Sequence, residues 1–106
     1  VIKLVMLIHR KAGMGDDDFR TYWRDVHGPI ARKMPNIRKY VQNHATASMD
    51  GSSPSYDGFA EVWYDDLQAM RESFASSEGE VATADAGKFI DMDRMVSFIV
   101  EEVDMI

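Results

Sequence analysis

The chain opens on a nearly unbroken apolar run, IKLVMLIHR from Ile2 to Arg10, rich in branched side chains and of strand length. Such a run fits a central strand buried on both faces. KAGMGDDD follows, a loop with two glycines and three acids that leads into a helix start. Acids suit a first turn, where the helix dipole favours negative charge, and Gly15 or Asp16 is placed to cap it. From Phe19 the period becomes helical: Phe19, Trp23, Val26, Ile30 and Met34 recur at intervals of four, three, four and four. At roughly 100° per residue they form one apolar stripe about 80° wide. His27 flanks that stripe on one side and Tyr22 on the other.

A strand is predicted from Ile37 to about Thr46, with Arg38, Tyr40, Gln42 and His44 on one face and Ile37, Val41 and Ala45 on the other. SMDGSSPSYDG is a loop by composition. FAEVWY is a third strand, on which Phe59, Glu61 and Trp63 oppose Ala60 and Val62. DDLQAMRESFAS reads as a helix with Leu67, Met70 and Phe74 as its buried stripe. SEGEVATADAGKFID is a further short helix with Val81, Ala84 and Phe89 inward, and RMVSFIVEEVDMI is a long final strand.

The order strand, helix, strand, strand, helix, strand predicts a single α+β domain over residues 1–106. It is a ferredoxin-like βαββαβ antiparallel sheet with helices on one face. The other face is predicted to carry Tyr40, Gln42, His44, Phe59, Glu61 and Trp63, too aromatic a set to leave in water. Two copies pairing sheet to sheet would cover it and enclose a cavity, so a homodimer is expected.

One stretch resists this plain reading. YWRDVHGPIA, Tyr22 to Ala31, sets Gly28 and Pro29 inside a helix, where they cost roughly 1 and 3 kcal/mol relative to Ala. Pro29 removes an amide and crowds the carbonyl of Asp25. His27 therefore sits at a bend. It either works there at the mouth of a cleft or only complements the dipole at the end of a helical segment.

Charge and composition narrow the partners. The net charge of −6 disfavours nucleic acid and anionic membrane as partners, and the basic residues between Arg20 and Lys39 read as a solvated helix face. There is no cysteine, which rules out thiolate nucleophiles and thiolate metal sites and fits a cytoplasmic protein. The longest clean apolar run, Leu4 to Ile8, is too short for a membrane span or a signal-peptide core. His9, His27 and His44 stand on separate elements with no HExxH or His-x-His spacing, so no metal is expected. With no Gly-x-Ser-x-Gly and no phosphate-cradling loop, the remaining chemistry is proton transfer. His27 suits it near neutral pH. Glu61 between Phe59 and Trp63 is an acid or base if a partner buries it, and a plain ion-pair carboxylate otherwise.

DDFRTYWRDVHGPIARKMPNIRKYVQNH, with FASSEGEVATADAGKFID and VSFIVEE further on, resembles the EthD family of the dimeric α+β barrel superfamily along essentially the whole chain. The family takes its name from an accessory gene of tert-alkyl ether degradation. Related members isomerise muconolactones or act on aromatic polyketide intermediates without metal or organic cofactor. In the lactone-isomerising members a histidine near the end of the first helix and a tyrosine on the second strand move the proton, and these positions match His27 and Tyr40. The resemblance thus implies a cofactor-free isomerase, dehydratase or cyclase acting on a small apolar carbonyl compound: a lactone, quinone or aromatic polyketide. Catalysis would rest on His27 and Tyr40, with Tyr22, Trp23, His44, Phe59, Glu61 and Trp63 around the substrate. The alternatives are a non-catalytic small-molecule binding or accessory protein and a cofactor-independent monooxygenase.

Overall fold

β1 (Ile2–Ile8) lies inside a four-stranded antiparallel sheet, as its apolar run requires. Its neighbours in this computed structural model, which describes residues 1–106, are β3 (Gly58–Tyr64) and β4 (Val96–Val100). β2 (Lys39–His44) completes the order β2-β3-β1-β4 beyond β3. This is the predicted ferredoxin-like arrangement. Two of the predicted strands are longer than the observed ones. β2 starts and stops two residues inside its predicted bounds, and β4 ends at Val100.

The helical layer comprises α1 (Asp16–Tyr22), a π-helical turn (Trp23–His27), α2 (Gly28–Ala31), α3 (Leu67–Ala75) and α4 (Ser77–Ala86). Gly15 caps α1, with Asp16, Asp17 and Asp18 in the first turn. Asp66 caps α3 by accepting from the Ala69 amide at 2.8 Å, and Ser76 caps α4 by accepting from Gly79 at 3.0 Å. Side-chain caps of this kind satisfy amides that would otherwise lack partners.

Register decides which side chains meet the helices, because directly opposed residues share a face. Leu4 pairs with Val62 and Met6 with Ala60, while Tyr40 pairs with Val62 and Gln42 with Ala60. Ala60 and Val62 are buried beneath the helices, so Tyr40, Gln42 and His44 face the helices too. This corrects the expected outer face. Phe59, Glu61 and Trp63 lie on the side away from the helices, but opposite Asn43, Val41 and Lys39 rather than beside Tyr40 and His44. The sequence reading put Tyr40, Gln42 and His44 on the outer face, where a second copy would cover them. The helix layer above them instead offers a polar backbone group, described below.

The main core cluster joins Ile8 and Ala60 of the sheet to Phe19, Trp23, Phe89 and Ile90. Gly58 makes the Trp23 contact feasible: a Cβ there would stand 2.8 Å from the indole ring and 2.2 Å from the Asn43 carbonyl. Three predicted stripes shift. In α4 the inward residues are Ala82 and Asp85, whereas Val81 and Ala84 are exposed. In α3 Leu67 and Phe74 stay partly in solvent. The fully buried position is Ser73, whose hydroxyl accepts from Tyr64 at 2.9 Å. In the first helix Val26 points out and His27 points in.

Candidate active site

The exchange of Val26 for His27 has a local cause. Pro29, in the first turn of α2, has no amide to donate and crowds the carbonyl four residues before it. The chain takes this up in the π turn: the Gly28 amide, not that of His27, bonds to the Trp23 carbonyl. The wider turn keeps residues four apart in line, so Phe19, Trp23, His27 and Ala31 all face inward. His27 therefore does not end a helix. The helical path continues through it.

Beneath this turn, between the helices and the sheet, lies a cavity of about 130 Å³. Its lining is apolar except for His27 and Thr83, and it includes Trp23, Met34, Tyr40, Ala60, Met95 and eleven like them, with no Lys, Arg, Asp or Glu. His27 is 8% exposed and packs against Phe89 with ring centroids 4.9 Å apart. Its Nδ1 lies 2.8 Å from Oδ2 of Asp85, and the other carboxylate oxygen accepts from the Tyr22 hydroxyl at 2.6 Å. An ionised carboxylate can only accept, so Nδ1 carries a proton, and in the neutral ring Nε2 holds the lone pair. Burial raises the Asp85 pKa, but the hydrogen bonds from Tyr22 and His27 outweigh it and hold the carboxyl below its ordinary range. Bonding to Asp85 in turn raises the Tyr22 pKa, with burial adding to it.

Tyr40 lines the same cavity from β2. Burial raises its pKa, which keeps the phenol protonated. Its oxygen accepts from Gln42 Nε2 at 3.1 Å, and the same nitrogen donates to the Trp23 carbonyl at 2.8 Å.

The remaining expected site residues stand elsewhere. Tyr22 is engaged with Asp85 and does not line the cavity. His44 packs tilted against Trp23 with ring centroids 4.3 Å apart, does not line the cavity, and bonds to Gln42 Oε1 at 2.9 Å; burial, then Arg20 and Arg24, lower its pKa. Phe59, Glu61 and Trp63 are separated from the cavity by the sheet itself. Glu61 is paired with Lys3 Nζ at 2.7 Å and accepts from Asn43 at 2.9 Å, so its pKa is lowered, chiefly by Lys3, against the opposing effect of burial. Trp63 donates to Glu102 at 2.6 Å, with Lys3 and Lys39 about its ring.

Asp85 was missed by sequence reasoning. In ATADAG it looks like a solvated helix acid beside a more apolar Val81. The available signal was the run Ala82, Asp85, Phe89 at helical spacing, with small residues that let α4 approach the π turn.

A four-stranded antiparallel sheet backed by helices, with a histidine and a tyrosine at an apolar cavity beneath them, places the molecule among the ferredoxin-like α+β proteins. The EthD domain family model matches residues 11–93, and the chain belongs to the EthD family. It is 26% identical over 84 residues to an uncharacterised 11.0 kDa protein from the thcB-thcC intergenic region of Rhodococcus erythropolis, covering 79% of this chain and 81% of that one. An EthD family protein of Bacillus halodurans superimposes with a TM-score of 0.83 at 24% identity, over 96% of this chain and 98% of its own. A dimeric protein of unknown function with a ferredoxin-like fold, from Bacteroides fragilis, gives 0.71 at 10% identity over 95% of each chain. At these identities the two structures attest the fold.

Proposed function

We propose that the protein is a cofactor-free enzyme that moves a proton within a small, uncharged cyclic carbonyl compound. One observation carries this reading: a buried His27–Asp85 pair opens, with Tyr40, on an otherwise apolar cavity. Nε2 of His27 takes a proton from carbon next to or conjugated with the carbonyl. The released electron pair moves to the carbonyl oxygen, and the Tyr40 hydroxyl donates to that developing oxyanion. Asp85 stabilises the imidazolium. Return of the proton to a different carbon completes an isomerisation, and return to a departing hydroxyl completes a dehydration.

The cavity also sets the substrate's size and charge. An apolar cavity of about 150 Å³ holds benzene, so about 130 Å³ fits one ring. Single-ring lactones, enones and quinones satisfy this, whereas fused aromatic polyketides exceed it. A carboxylate on the ring would be buried without a cation, which is costly.

The test is His27→Gln, compared with wild type by thermal shift and by product formation on unsaturated five-membered lactones, cyclic enones and quinones. Expected are similar stabilisation by the bound compound and a loss of turnover of roughly 10²–10⁴-fold in the variant, the usual contribution of a positioned acid–base. Equal turnover by both proteins rejects the mechanism. Binding without turnover in either protein identifies a carrier, and oxygen uptake identifies an oxygenase.

The homodimer belongs to the same proposal, through the sheet face away from the helices. Val96, Phe98 and Phe59 are 43%, 48% and 38% exposed there, a contiguous apolar patch with Val5 and Leu7 of β1 between them. The likeness in fold to a dimeric Bacteroides fragilis protein supports dimerisation, and the exposed apolar patch is the reason for choosing this face. Phe98→Asp is expected to turn a dimer into a monomer in sedimentation; a variant still dimeric at micromolar concentration places the contact elsewhere.

A further inference from the structure

We propose that Gln42 is a positioning residue that aims the Tyr40 proton into the cavity, and that the Gly28-Pro29 step supplies the room and the acceptor it needs. The inference rests on the reading of Tyr40 as a hydrogen-bond donor to substrate.

The argument is one of donors and acceptors. A side-chain amide can be turned end for end, and only its partners decide which end is nitrogen. The Trp23 carbonyl decides it here, because a carbonyl can only accept and it lies 2.8 Å from the amide. The nitrogen of Gln42 therefore faces Trp23, and Oε1 faces His44 Nε2 at 2.9 Å, which must donate. The nitrogen's second hydrogen points to the Tyr40 oxygen at 3.1 Å. That oxygen is an acceptor in this bond, so the single Tyr40 proton is left to point elsewhere, and the hydroxyl's residue lines the cavity. Reversing the amide would set two acceptors against each other at the Trp23 carbonyl. The chain of bonds has one orientation.

The broken helix makes this geometry available. The π turn draws the Gly28 amide to the Trp23 carbonyl in place of that of His27, and Gln42 takes the second lone pair of the same oxygen. A Cβ at residue 28 would lie 3.0 Å from Gln42 Nε2 and 3.4 Å from that oxygen. A side chain at residue 28 would thus push the Gln42 amide off its place by a few tenths of an ångström, and glycine leaves it there. The costs that Gly28 and Pro29 impose on a plain helix are explained by a contact between helix and sheet that fixes a hydroxyl.

The test has one arm without ligand and one with a probe. In the first, the two side-chain amide protons of Gln42 are followed by NMR in wild type and Tyr40→Phe. One resonance is expected to move upfield as its acceptor disappears, while the one bonded to Trp23 stays. Neither proton moving overturns the proposal whether or not any ligand binds. In the second arm, cyclohex-2-enone labelled at its carbonyl is bound, and the C=O stretch is read in wild type, Tyr40→Phe, Gln42→Met and Gly28→Ala. A stretch lowered in wild type, lost in Tyr40→Phe and weakened or split in Gln42→Met and Gly28→Ala supports the proposal. An undiminished shift in Gln42→Met overturns the positioning role. A shifted Gln42 proton together with no Tyr40-dependent stretch keeps the amide lock and rejects instead the reading of Tyr40 as donor to substrate.

Discussion

Asp85→Asn is expected to remove turnover while leaving the fold in place. Asparagine keeps the size of aspartate, and its oxygen can still accept from the Tyr22 hydroxyl, which now does so at 2.6 Å. Its NH2 then faces His27 Nδ1, where the carboxylate lies at 2.8 Å. With the amide held in that orientation by the Tyr22 hydroxyl, two donors cannot share the His27 contact, so the imidazole places its proton on Nε2 and loses the lone pair aimed at the substrate. A loss of roughly 10²–10⁴-fold in turnover follows, comparable to losing the acid–base itself. Nitrogen-15 NMR of His27 checks the cause: the neutral ring should carry its proton on Nδ1 in wild type and on Nε2 in the variant. Full activity, or an unchanged tautomer, rejects the role given to Asp85.

The same substitution has a pH signature. Because the Asp85 carboxyl is held below its ordinary range, its contribution to stability is fully present above the unfolded value, about 3.9. It drains away as pH falls through the lower folded value. The variant has nothing to titrate there. Wild type should therefore exceed Asp85→Asn in denaturation midpoint at neutral pH, and the gap should close in acid.

Phe89→Ala is the change expected to cost most stability. Phe89 is 0% exposed and touches the rings of Phe19, Tyr22 and His27 at centroid distances of 5.6, 5.1 and 4.9 Å. Truncating a buried Phe costs about 3–5 kcal/mol, against a total stability of about 5–15 for such domains. At several degrees per kcal/mol, the midpoint should fall by on the order of 15 °C or more. The companion is Val81→Ala. The sequence reading placed Val81 inward beside Phe89, but it is 57% exposed, so truncation there should change stability by no more than about 0.5 kcal/mol. Comparable losses at the two positions would mean that α4 is rotated from the orientation described.

These pairs show where the sequence was informative. Strand periods and the order of elements led to the fold, because an apolar run such as IKLVMLI has few other uses. His27 and Tyr40 were reached through the family resemblance, and both line the cavity. Each strand's alternation was legible, but not the phase of one strand against another. Phase depends on register, and Tyr40 opposes Val62 only because β2 and β3 pair in that one way. The inward turn of Gln42 was hidden for a related reason: a polar side chain normally marks the solvent face, and its partner is a main-chain carbonyl within the π turn, which accepts from Gln42 as well as from the Gly28 amide. That turn also explains Val26, since an α-helical stripe puts residue 26 inward and one wider turn puts residue 27 there. Glu61 illustrates the opposite case. A carboxylate between two aromatics suggested an acid awaiting burial, but Lys3 from the neighbouring strand already pairs with it.

The central claim is that the working space lies between helices and sheet, not on the sheet's outer face. Four methionines, Met6, Met34, Met92 and Met95, line that space, while Met49 and Met105 are fully or largely exposed. The most direct measurement is a titration of methyl-labelled methionines and indole-labelled tryptophans with cyclohex-2-enone. Shifts concentrated at Met6, Met34, Met92, Met95 and the Trp23 indole, with the Trp63 indole silent, are predicted. Shifts centred on Trp63, with those four methionines unmoved, would contradict the account and return the site to the outer face of the sheet.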